Sequence, residues 1–457
     1  LTASGGAGFG GGTVGTGGAV TLVSDNDIID GNGATNNIAA ATASLTAGNA
    51  IGTSAAGAID VVLSGAPGLS LDSGAGGIFI ETTGNLTLNT IATAGTVGVP
   101  SADTVSITST GGNTITLGVA IDEDTEPTLI NDVFSFIGDA GSTFDGANLQ
   151  FDIGAAGILA IQADSIINFG DGINDQAGGG ITVTSGTANA SIGLGNLALA
   201  NIVGQTFKID NATLNNLAKA GGNSLIVGDG TSGAIVIDEV VFGTKNLVLV
   251  TNSTINDNDD AGDAFVSSGT LTLTSNGAIG GLNGANGLNL DVGTITVTSS
   301  GGAGNNVTVT DSGTGGDTTF SIATGGAGAI DIDLSASNMI LNGVTTTGTL
   351  NADTVNGTIT DANNTSTSAG GLATFNAGGA GNGITLGDQA GDTVNFDTLT
   401  FTTVGAVVIN EDSNMNIVGT NTAGSADLDS TAAISDAGAV SIAIGGLGDF
   451  AGTSIAL

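Results

Sequence analysis

A phrase of eleven residues that recurs along the chain decides the fold. It reads LVLVTNSTIND at 247–257 and LTLTSNGAIGG at 271–281, and earlier VTLVSDNDIID at 20–30 and ASLTAGNAIGT at 43–53. In the two later copies the equivalent apolar residues are 24 positions apart: Leu247 and Leu271, Leu249 and Leu273, Ile255 and Ile279. Self-similarity at a period of roughly 20–50 residues is typical of solenoids, in which each repeat packs on the next.

Apolar and polar residues alternate in short runs along the chain, for example ITVTS (181–185), TITVTSS (294–300) and VTVTD (307–311). Alternation with a period of two places one set of side chains inward and the other outward on a β-strand. The outward set is rich in Thr, whose branched side chain suits a pleated surface. The runs are bounded by Gly, Asn and Asp, which accept turn conformations. The pattern predicts many short strands joined by tight corners.

Short strands at regular spacing also occur in β-sandwiches and closed barrels. Two observations favour a parallel β-helix instead. The repeat is about one coil long, and aromatic residues make up 3% of the chain, without Trp or Tyr, whereas sandwich cores usually contain large aromatic anchors. We therefore predict an all-β fold, a parallel β-helix (β-solenoid) of roughly 19 coils of about 24 residues. No change in composition marks a boundary, so residues 1–457 are expected to form a single elongated domain.

Two segments depart from the repeat and are predicted to contain loop insertions, near 122–151 and 211–222. The first holds four phenylalanines, Phe134, Phe136, Phe144 and Phe151. These rings either stack inside wider coils or form an apolar patch that recognises a partner. The second segment, NATLNNLAKAGG, has a helical pattern, because Leu214 and Leu217 share a face and Gly221 can end a helix.

The charge of the chain is strongly negative. Forty-two Asp and Glu residues face three lysines, Lys208, Lys219 and Lys245, for a net charge of −39. Phosphate binding requires Lys and Arg, so nucleic acid is excluded as a partner. No stretch reaches the roughly 18 apolar residues of a membrane span. The chain begins at Leu1 without a basic leader, which indicates a processed protein or an interior piece of a longer one.

The residue inventory argues against catalysis. The chain contains no His, Cys or Arg, so the common general base and the Ser-His-Asp and Cys-His constellations cannot be built. A pair of carboxylates can hydrolyse a glycoside, but Trp and Tyr, which would line a sugar cleft, are also missing. We therefore expect that the protein is not an enzyme.

Acidic clusters are the best candidate sites. Five occur: SDNDIIDGN (24–32), IDEDTE (121–126), GDGIND (170–175), NDNDDAGD (256–263) and INEDSN (409–414). Ca²⁺ prefers several oxygen ligands from carboxylates, Asn side chains and turn carbonyls. Two clusters overlap the repeated phrase and would lie at equivalent corners, so they are the predicted calcium ligands: Asp25, Asp27, Asp30, Asp257, Asp259, Asp260 and Asp263. The competing interpretation is solvated turns, because Asp and Asn favour turns anyway.

The repeat style resembles that of a known group of surface proteins. LTAGNAIGTSAAGAIDV (45–61) and LTSNGAIGGLNGANGLNLDVGTITV (273–297) look like the coils of filamentous-haemagglutinin-type adhesins and autotransporter passengers. The resemblance covers most of the chain and is weakly specific for function. It implies a right-handed β-helix on the outside of a bacterium.

Two functions from different classes follow. The first is a structural protein of a bacterial cell surface, an acidic extracellular rod that self-assembles head to tail or laterally into a fibre, appendage or surface layer. The alternative is an adhesin-type binding module, in which the solenoid is a spacer that presents loops to a host or glycan ligand. The structural protein should self-associate without a ligand, whereas the module should remain monomeric and be retained on its ligand.

Overall fold

The structure, a computed structural model, describes residues 2–3, 7–9, 13–15, 17–33, 35–65, 68–93, 103–122, 132–149, 151–152, 157–170, 180–198, 200–218, 224–257, 265–280, 287–301, 305–313 and 316–457. The chain divides into two compact units, which are described separately. Unit 1 is Leu1–Ile192 with Gln205–Ser232, and unit 2 is Gly193–Gly204 with Gly233–Leu457. The single domain expected over 1–457 stays a prediction.

Strands make up 58% of the structure and helices 3%, which confirms the all-β class. The first half contains β1 (Thr2–Ala3), β2 (Ala7–Phe9), β3 (Val14–Gly15), β4 (Ala19–Ser24), β5 (Ile28–Asp30), β6 (Ile38–Ala40), β7 (Thr42–Ala47), β8 (Ile59–Leu63), β9 (Leu69–Ser73), β10 (Ile78–Thr82), β11 (Leu86–Thr93), β12 (Thr104–Ser109), β13 (Thr114–Leu117), β14 (Ile121–Asp122), β15 (Val133–Gly138), β16 (Thr143–Asp145), β17 (Phe151–Asp152), β18 (Ile158–Gln162), β19 (Ser165–Ile167), β20 (Ile181–Thr184), β21 (Ile192–Gly195), β22 (Phe207–Asp210) and β23 (Leu225–Gly228).

The second half contains β24 (Ile235–Asp238), β25 (Val240–Gly243), β26 (Leu247–Thr251), β27 (Ile255–Asn256), β28 (Phe265–Ser275), β29 (Leu288–Ser299), β30 (Val307–Asp311), β31 (Thr318–Thr324), β32 (Ile330–Leu334), β33 (Met339–Thr346), β34 (Leu350–Thr354), β35 (Ile359–Asp361), β36 (Ser366–Ala377), β37 (Ile384–Leu386), β38 (Thr393–Thr403), β39 (Ala406–Glu411), β40 (Met415–Ile417), β41 (Thr420–Ala423), β42 (Ser425–Ser430), β43 (Ala433–Asp436), β44 (Ser441–Ile444), β45 (Gly448–Ala451) and β46 (Ser454–Ala456). The helices are α1 (Ala200–Val203), α2 (Asn211–Leu217) and a single 3₁₀ turn (Ala55–Gly57).

Parallel pairing between successive turns builds the sheets of each unit. In unit 1 one sheet runs β4–β7–β9–β11–β13–β16–β19, and another runs β8–β10–β12–β15–β18–β20–β23. In unit 2 one sheet runs β26–β28–β29–β31–β33, and another runs β29–β30–β32–β34–β36–β38. A chain that returns to its neighbour in parallel at every turn is a β-solenoid, as predicted.

The recurring phrase marks consecutive turns, which confirms the alignment made from sequence. Its members pair in register: Leu22 with Leu45, Leu247 with Leu271, and Leu249 with Leu273. The isoleucines that follow also pair, Ile28 with Ile51 and Ile255 with Ile279. All of these side chains are buried, because strand alternation turns them inward. Each buried aliphatic side chain contributes roughly 1.5–3 kcal/mol of transfer free energy.

The structure has about 16 turns, fewer than the roughly 19 predicted from a constant coil of about 24 residues. The reason is that turn length varies. In-register partners are 29 residues apart at Val105 and Phe134, and 44 apart at Ile181 and Leu225.

The first predicted insertion contributes to the core. Phe134, Phe136, Phe144 and Phe151 are all fully buried. The ring centroids of Phe134 and Phe151 are 5.4 Å apart, and those of Phe136 and Phe144 are 4.8 Å apart. The rings therefore stack inside the coils, and the interpretation as an exposed partner patch is wrong for these four. Residues 123–131 of the segment lie outside the described part of the chain.

The second predicted insertion contains helix α2. Asp210 caps it by accepting a hydrogen bond from Thr213 N at 2.7 Å, and Leu214 and Leu217 are buried. The helix ends at Leu217 because Ala218 is extended, so it is shorter than the predicted 211–222. No helix among the described residues is long and apolar enough to cross a membrane.

Buried hydroxyls close the corners of the turns. Thr251, Ser275 and Ser299 pair in register at the ends of successive strands and are each 3% exposed or less. Ser275 Oγ donates to Gly277 O at 2.7 Å, and Ser299 Oγ donates to the same carbonyl at 2.9 Å. Gly277 lies outside the strands, and these part-buried hydrogen bonds satisfy its carbonyl, which would otherwise cost free energy.

The inward columns should dominate stability. Leu273 is 0% exposed and lies between Leu249 and Val297 in its column. We expect Leu273→Ala to lower the unfolding free energy by about 2–5 kcal/mol, because it leaves a cavity. Thr274→Ala, at an outward position of the same strand, is the control and should change it by less than about 1 kcal/mol. The measurement is the urea midpoint by circular dichroism; equal losses would contradict the inward assignment.

Candidate functional site

The first predicted calcium cluster ties neighbouring turns together. Asp27 Oδ1 accepts hydrogen bonds from Asn49 Nδ2 at 2.6 Å and from Ala50 N at 3.1 Å, both in the next turn. Asp30 Oδ1 accepts from Asn32 N at 2.9 Å and from Asn37 Nδ2 at 3.0 Å. Asp25 is exposed. Asp27 and Asp30 thus already act in turn closure.

The second predicted cluster is only partly described. Asp257 is buried, with 4% of its surface exposed, and it follows strand β27. Asp259, Asp260 and Asp263 lie outside the described residues, so their grouping with Asp257 stays a prediction. The same holds for most of the acidic clusters at 121–126 and 170–175.

Within the described ranges, one set of three carboxylates is close enough together to hold a metal ion, and it was not predicted. Asp361, Asp388 and Asp392, here called the triad, each place one oxygen within 4.8 Å of the others. Asp361 ends strand β35, whereas the other two lie in the corner GDQAGD (387–392) of the next turn. Three carboxylate oxygens are hard ligands that suit Ca²⁺.

Local hydrogen bonds fix the triad. Asp361 Oδ2 accepts from Gly387 N at 2.8 Å, while Asp361 Oδ1 is buried and has no hydrogen-bond partner among the described residues. Gly387 has a φ of +72°, and a Cβ there would meet Asn410 O at 2.3 Å, so glycine is required at this contact. Asp392 Oδ1 accepts from Thr365 N at 3.3 Å.

The electrostatics of the triad favour either protonation or a cation. The pKa of Asp361 is raised from 3.8 to about 6, because burial and the carboxylates of Asp392 and Asp388 raise it by more than the hydrogen bond from Gly387 lowers it. Like charges this close disfavour simultaneous ionisation. A bound divalent cation would reverse that effect by supplying opposite charge.

A cleft of about 590 Å³ opens beside the triad. It is lined by the corner residues of four successive turns, at 387–392, 410–412, 429–431 and 451–453. Four carboxylates are among its lining residues: Asp392, Glu411, Asp412 and Asp429. None of the three lysines of the chain lines it. Such a surface can attract cations and the hydroxyl groups of neutral ligands, and it repels anions.

Side chains replace a missing strand partner next to this cleft. Glu411 Oε1 accepts from Phe396 N at 2.9 Å, and Asp412 Oδ2 accepts from Val394 N at 2.9 Å. The following turn is short: Leu399 on β38 pairs with Ile417 on β40, which is only 18 residues later. The acidic cluster at 409–414 therefore caps the edge of strand β38, which satisfies backbone donors that would otherwise lack an acceptor.

Glu411 is the most perturbed carboxyl at the cleft. It is 2% exposed, and its Oε2 has no hydrogen-bond partner among the described residues. Burial raises the pKa of Glu411 from 4.5 to about 7, against the lowering effect of the hydrogen bonds from Phe396 and Ser413. The neutral form therefore suits this position, because an ionised carboxylate would lack solvation.

Sequence reasoning missed the triad because its members are distant along the chain. Asp388 and Asp392 follow Asp361 by 27 and 31 residues, and only the stacking of turns brings them together. The available signal was the repeat period itself. The period leads from Asp361 to the corner of the next turn, but the variable length of the corners leaves the position of Asp388 and Asp392 within it open.

Comparison with known proteins adds no relative. No family model matches the chain, and no similar curated protein or solved structure was found. The β-solenoid repeat architecture therefore stands on the geometry of the turns. The likeness to filamentous-haemagglutinin-type adhesins and autotransporter passengers stays a prediction from the repeat style.

The raised pKa of Glu411 predicts a dependence of stability on pH. The folded-state pKa lies above the ordinary value of 4.5, so the contribution is complete below pH 4.5 and is lost as the pH rises through 7. The loss is at most on the order of 3 kcal/mol. Glu411→Gln keeps the Oε1 acceptor and cannot ionise, so it should be more stable than the wild type at pH 8 and equal to it at pH 4.5.

The measurement is the urea midpoint between pH 4.5 and 8. Asp436→Asn, which removes an exposed carboxyl of unit 2, is the control and should keep the slope of the wild type. A slope unchanged in Glu411→Gln would show that Glu411 ionises normally in the folded chain.

Proposed function

We propose that the chain is a non-enzymatic structural protein of a bacterial cell surface, an acidic extracellular rod that self-assembles into a fibre, appendage or surface layer. One observation carries the proposal: successive turns stack in register through columns of buried apolar residues, as at Leu249, Leu273 and Val297. Repeats of this kind contact only their neighbours, so stability and length grow together. That property suits a structural element.

The buried polar groups support the same proposal. Thr251, Ser275 and Ser299 close corners, Asp27 links two turns, and Glu411 caps a strand edge. These groups are used to hold turns together and leave the outer faces polar. The chain has no cysteine, so in an oxidising extracellular setting turn stacking alone would supply rigidity.

A second candidate function is favoured by the acidic cleft. Its size of about 590 Å³ matches a small ligand site, and neutral hydroxyl-rich ligands such as glycans would fit carboxylate and amide acceptors. In this adhesin-type module the solenoid would be a spacer that presents the corner 387–392. The cleft is open and carries no aromatic ring among its lining residues, which is why we rank this function second.

Self-association without a ligand is the expected outcome for a structural protein. Electron microscopy and light scattering of the purified chain at rising concentration should show oligomers or filaments. A monodisperse monomer at high concentration, combined with retention on a glycan column, would instead support the binding module. Heat-unfolded chain is the control for non-specific aggregation.

Calcium is proposed as a bound ion, at the predicted residues or at the triad. The melting temperature should rise with Ca²⁺ and fall in EDTA, because an ion that binds only the folded chain stabilises it. Asp388→Asn with Asp392→Asn should abolish the shift if the triad binds the ion. Asp25→Asn with Asp27→Asn should abolish it if the first predicted cluster does. An identical melting temperature in Ca²⁺ and EDTA would contradict calcium binding at the triad and at both predicted clusters.

A further inference from the structure

One outer face of unit 2 is an ordered array of small uncharged side chains. It is formed by the strands β26, β28, β29, β31 and β33; residues 247–251, 270–275, 294–299 and 319–324 pair in register, and the register shifts between Phe320 and Ile322 where β31 meets β33. Its outward positions, here called the threonine face, are Val248, Val250, Thr270, Thr272, Thr274, Thr294, Thr296, Thr298, Thr319, Ser321, Ala323, Ile340 and Thr345. All of them are half-buried or exposed.

The threonine face contains no charged residue, although the chain carries a net charge of −39. The neighbouring sheet of the same turns is different. There, Asp331 and Asp333 on β32 and Asp353 on β34 point outward. Burial, followed by the charges of Asp331 and Asp353, raises the pKa of Asp333 to about 6. The carboxylates of these turns are thus crowded on one face and absent from the other.

The face is also regularly spaced, apart from the register shift beside β33. Neighbouring rows are about 4.8 Å apart, and outward residues along a row are about 6.6 Å apart, which gives a footprint on the order of 500 Å². Thr, Val and Ile are branched at Cβ and have few rotamers, so little side-chain entropy is lost when such a face is covered. Methyl groups supply apolar contact, and hydroxyls can pair directly or through water.

We propose that the threonine face binds the threonine face of a second copy of this chain, side by side. This inference rests on the proposed self-assembling function and names the surface that serves it. The net charge of the chain indicates which partner binds the threonine face. Copies of a −39 chain repel each other. Salt screens charges that are more than about 8–10 Å apart at physiological ionic strength, so carboxylates brought closer than this still repel, and contact is least unfavourable through the face without carboxylates.

The contact has the geometry of a two-fold interface, in which the same patch serves both partners. Flat sheets with short, complementary side chains pack in this way in dry zippers. A footprint on the order of 500 Å² from each partner lies near the lower limit for specific interfaces. A single contact is therefore weak, and association becomes firm only when many copies are aligned along a fibre.

A single added charge tests the face. Thr296 lies at the centre of the array, between Thr272 and Ser321. Thr296→Asp should weaken side-by-side association at least tenfold, measured by sedimentation velocity and by the width of assemblies in electron microscopy. The matched control is Thr374→Asp, which adds the same charge at an outward position beside Asn351 on the acidic sheet and should associate like the wild type.

Cross-linking gives an independent readout. The chain has no cysteine, so Thr296→Cys and Thr374→Cys each provide one thiol. A bismaleimide should link pairs of Thr296→Cys chains and leave Thr374→Cys chains single. Circular dichroism and urea midpoints confirm that all variants fold. Equal association of the two Asp variants, or equal cross-linking of the two Cys variants, would overturn the inference.

The outcomes also separate this inference from the proposed function. A wild type that stays monomeric under every condition would reject self-assembly and the inference together. Filaments whose width is unchanged by Thr296→Asp would reject the inference alone. A monomer that is retained on particulate cellulose and is released by Thr296→Asp would identify the face as a glycan-binding surface and overturn pairing between copies.

Discussion

Every feature of this chain depends on one constraint, the register in which each turn lies on the next. Parallel strands repeat the same residue position above itself, so inward leucines meet leucines and corner hydroxyls meet corner carbonyls. Gly277 O shows how closely the two are linked, because it receives one hydroxyl from its own strand and another from the turn above. A shift of the next turn by one residue would turn its inward side chains outward and remove the hydrogen bond from Ser299 to that carbonyl.

Register also explains what could be predicted from the sequence. The pairs Leu249 with Leu273 and Ile255 with Ile279 were readable because both residues recur at one turn length and a period of two fixes their direction. The number of turns was not predictable, because the chain between paired strands varies in length; between Ile181 and Leu225 it also contains β21, β22, α1 and α2. The triad was missed for the same reason: corners vary in length, so the position of Asp388 above Asp361 does not follow from a constant period.

The same stacking concentrates charge. Glu81 pairs directly with Asp60, and Asp427 pairs with Asp449, although like charges in register are unfavourable. Burial and the neighbouring carboxylates of Glu81 and Asp30 raise the pKa of Asp60 to about 6. Asp60 in the folded chain therefore holds a proton that the unfolded chain would release, and its contribution to stability is lost as the pH rises through 6. In a chain with 42 acidic residues, some faces of the solenoid therefore carry carboxylates that repel each other.

Faces of the solenoid without such repelling carboxylates therefore give information about function. In a solenoid one outward position is copied along a whole column, so a single carboxylate repeated turn after turn forms a charged stripe, whereas a repeated threonine forms a neutral lattice. Asp333 and Asp353 stand in one such column, and Thr270, Thr294 and Thr319 stand in another. The composition of the chain does not show that one face differs from another in charge. The register shows that unit 2 keeps its aspartate columns and its threonine columns on different faces. On a strongly acidic chain, the neutral face is the one that another acidic chain can approach.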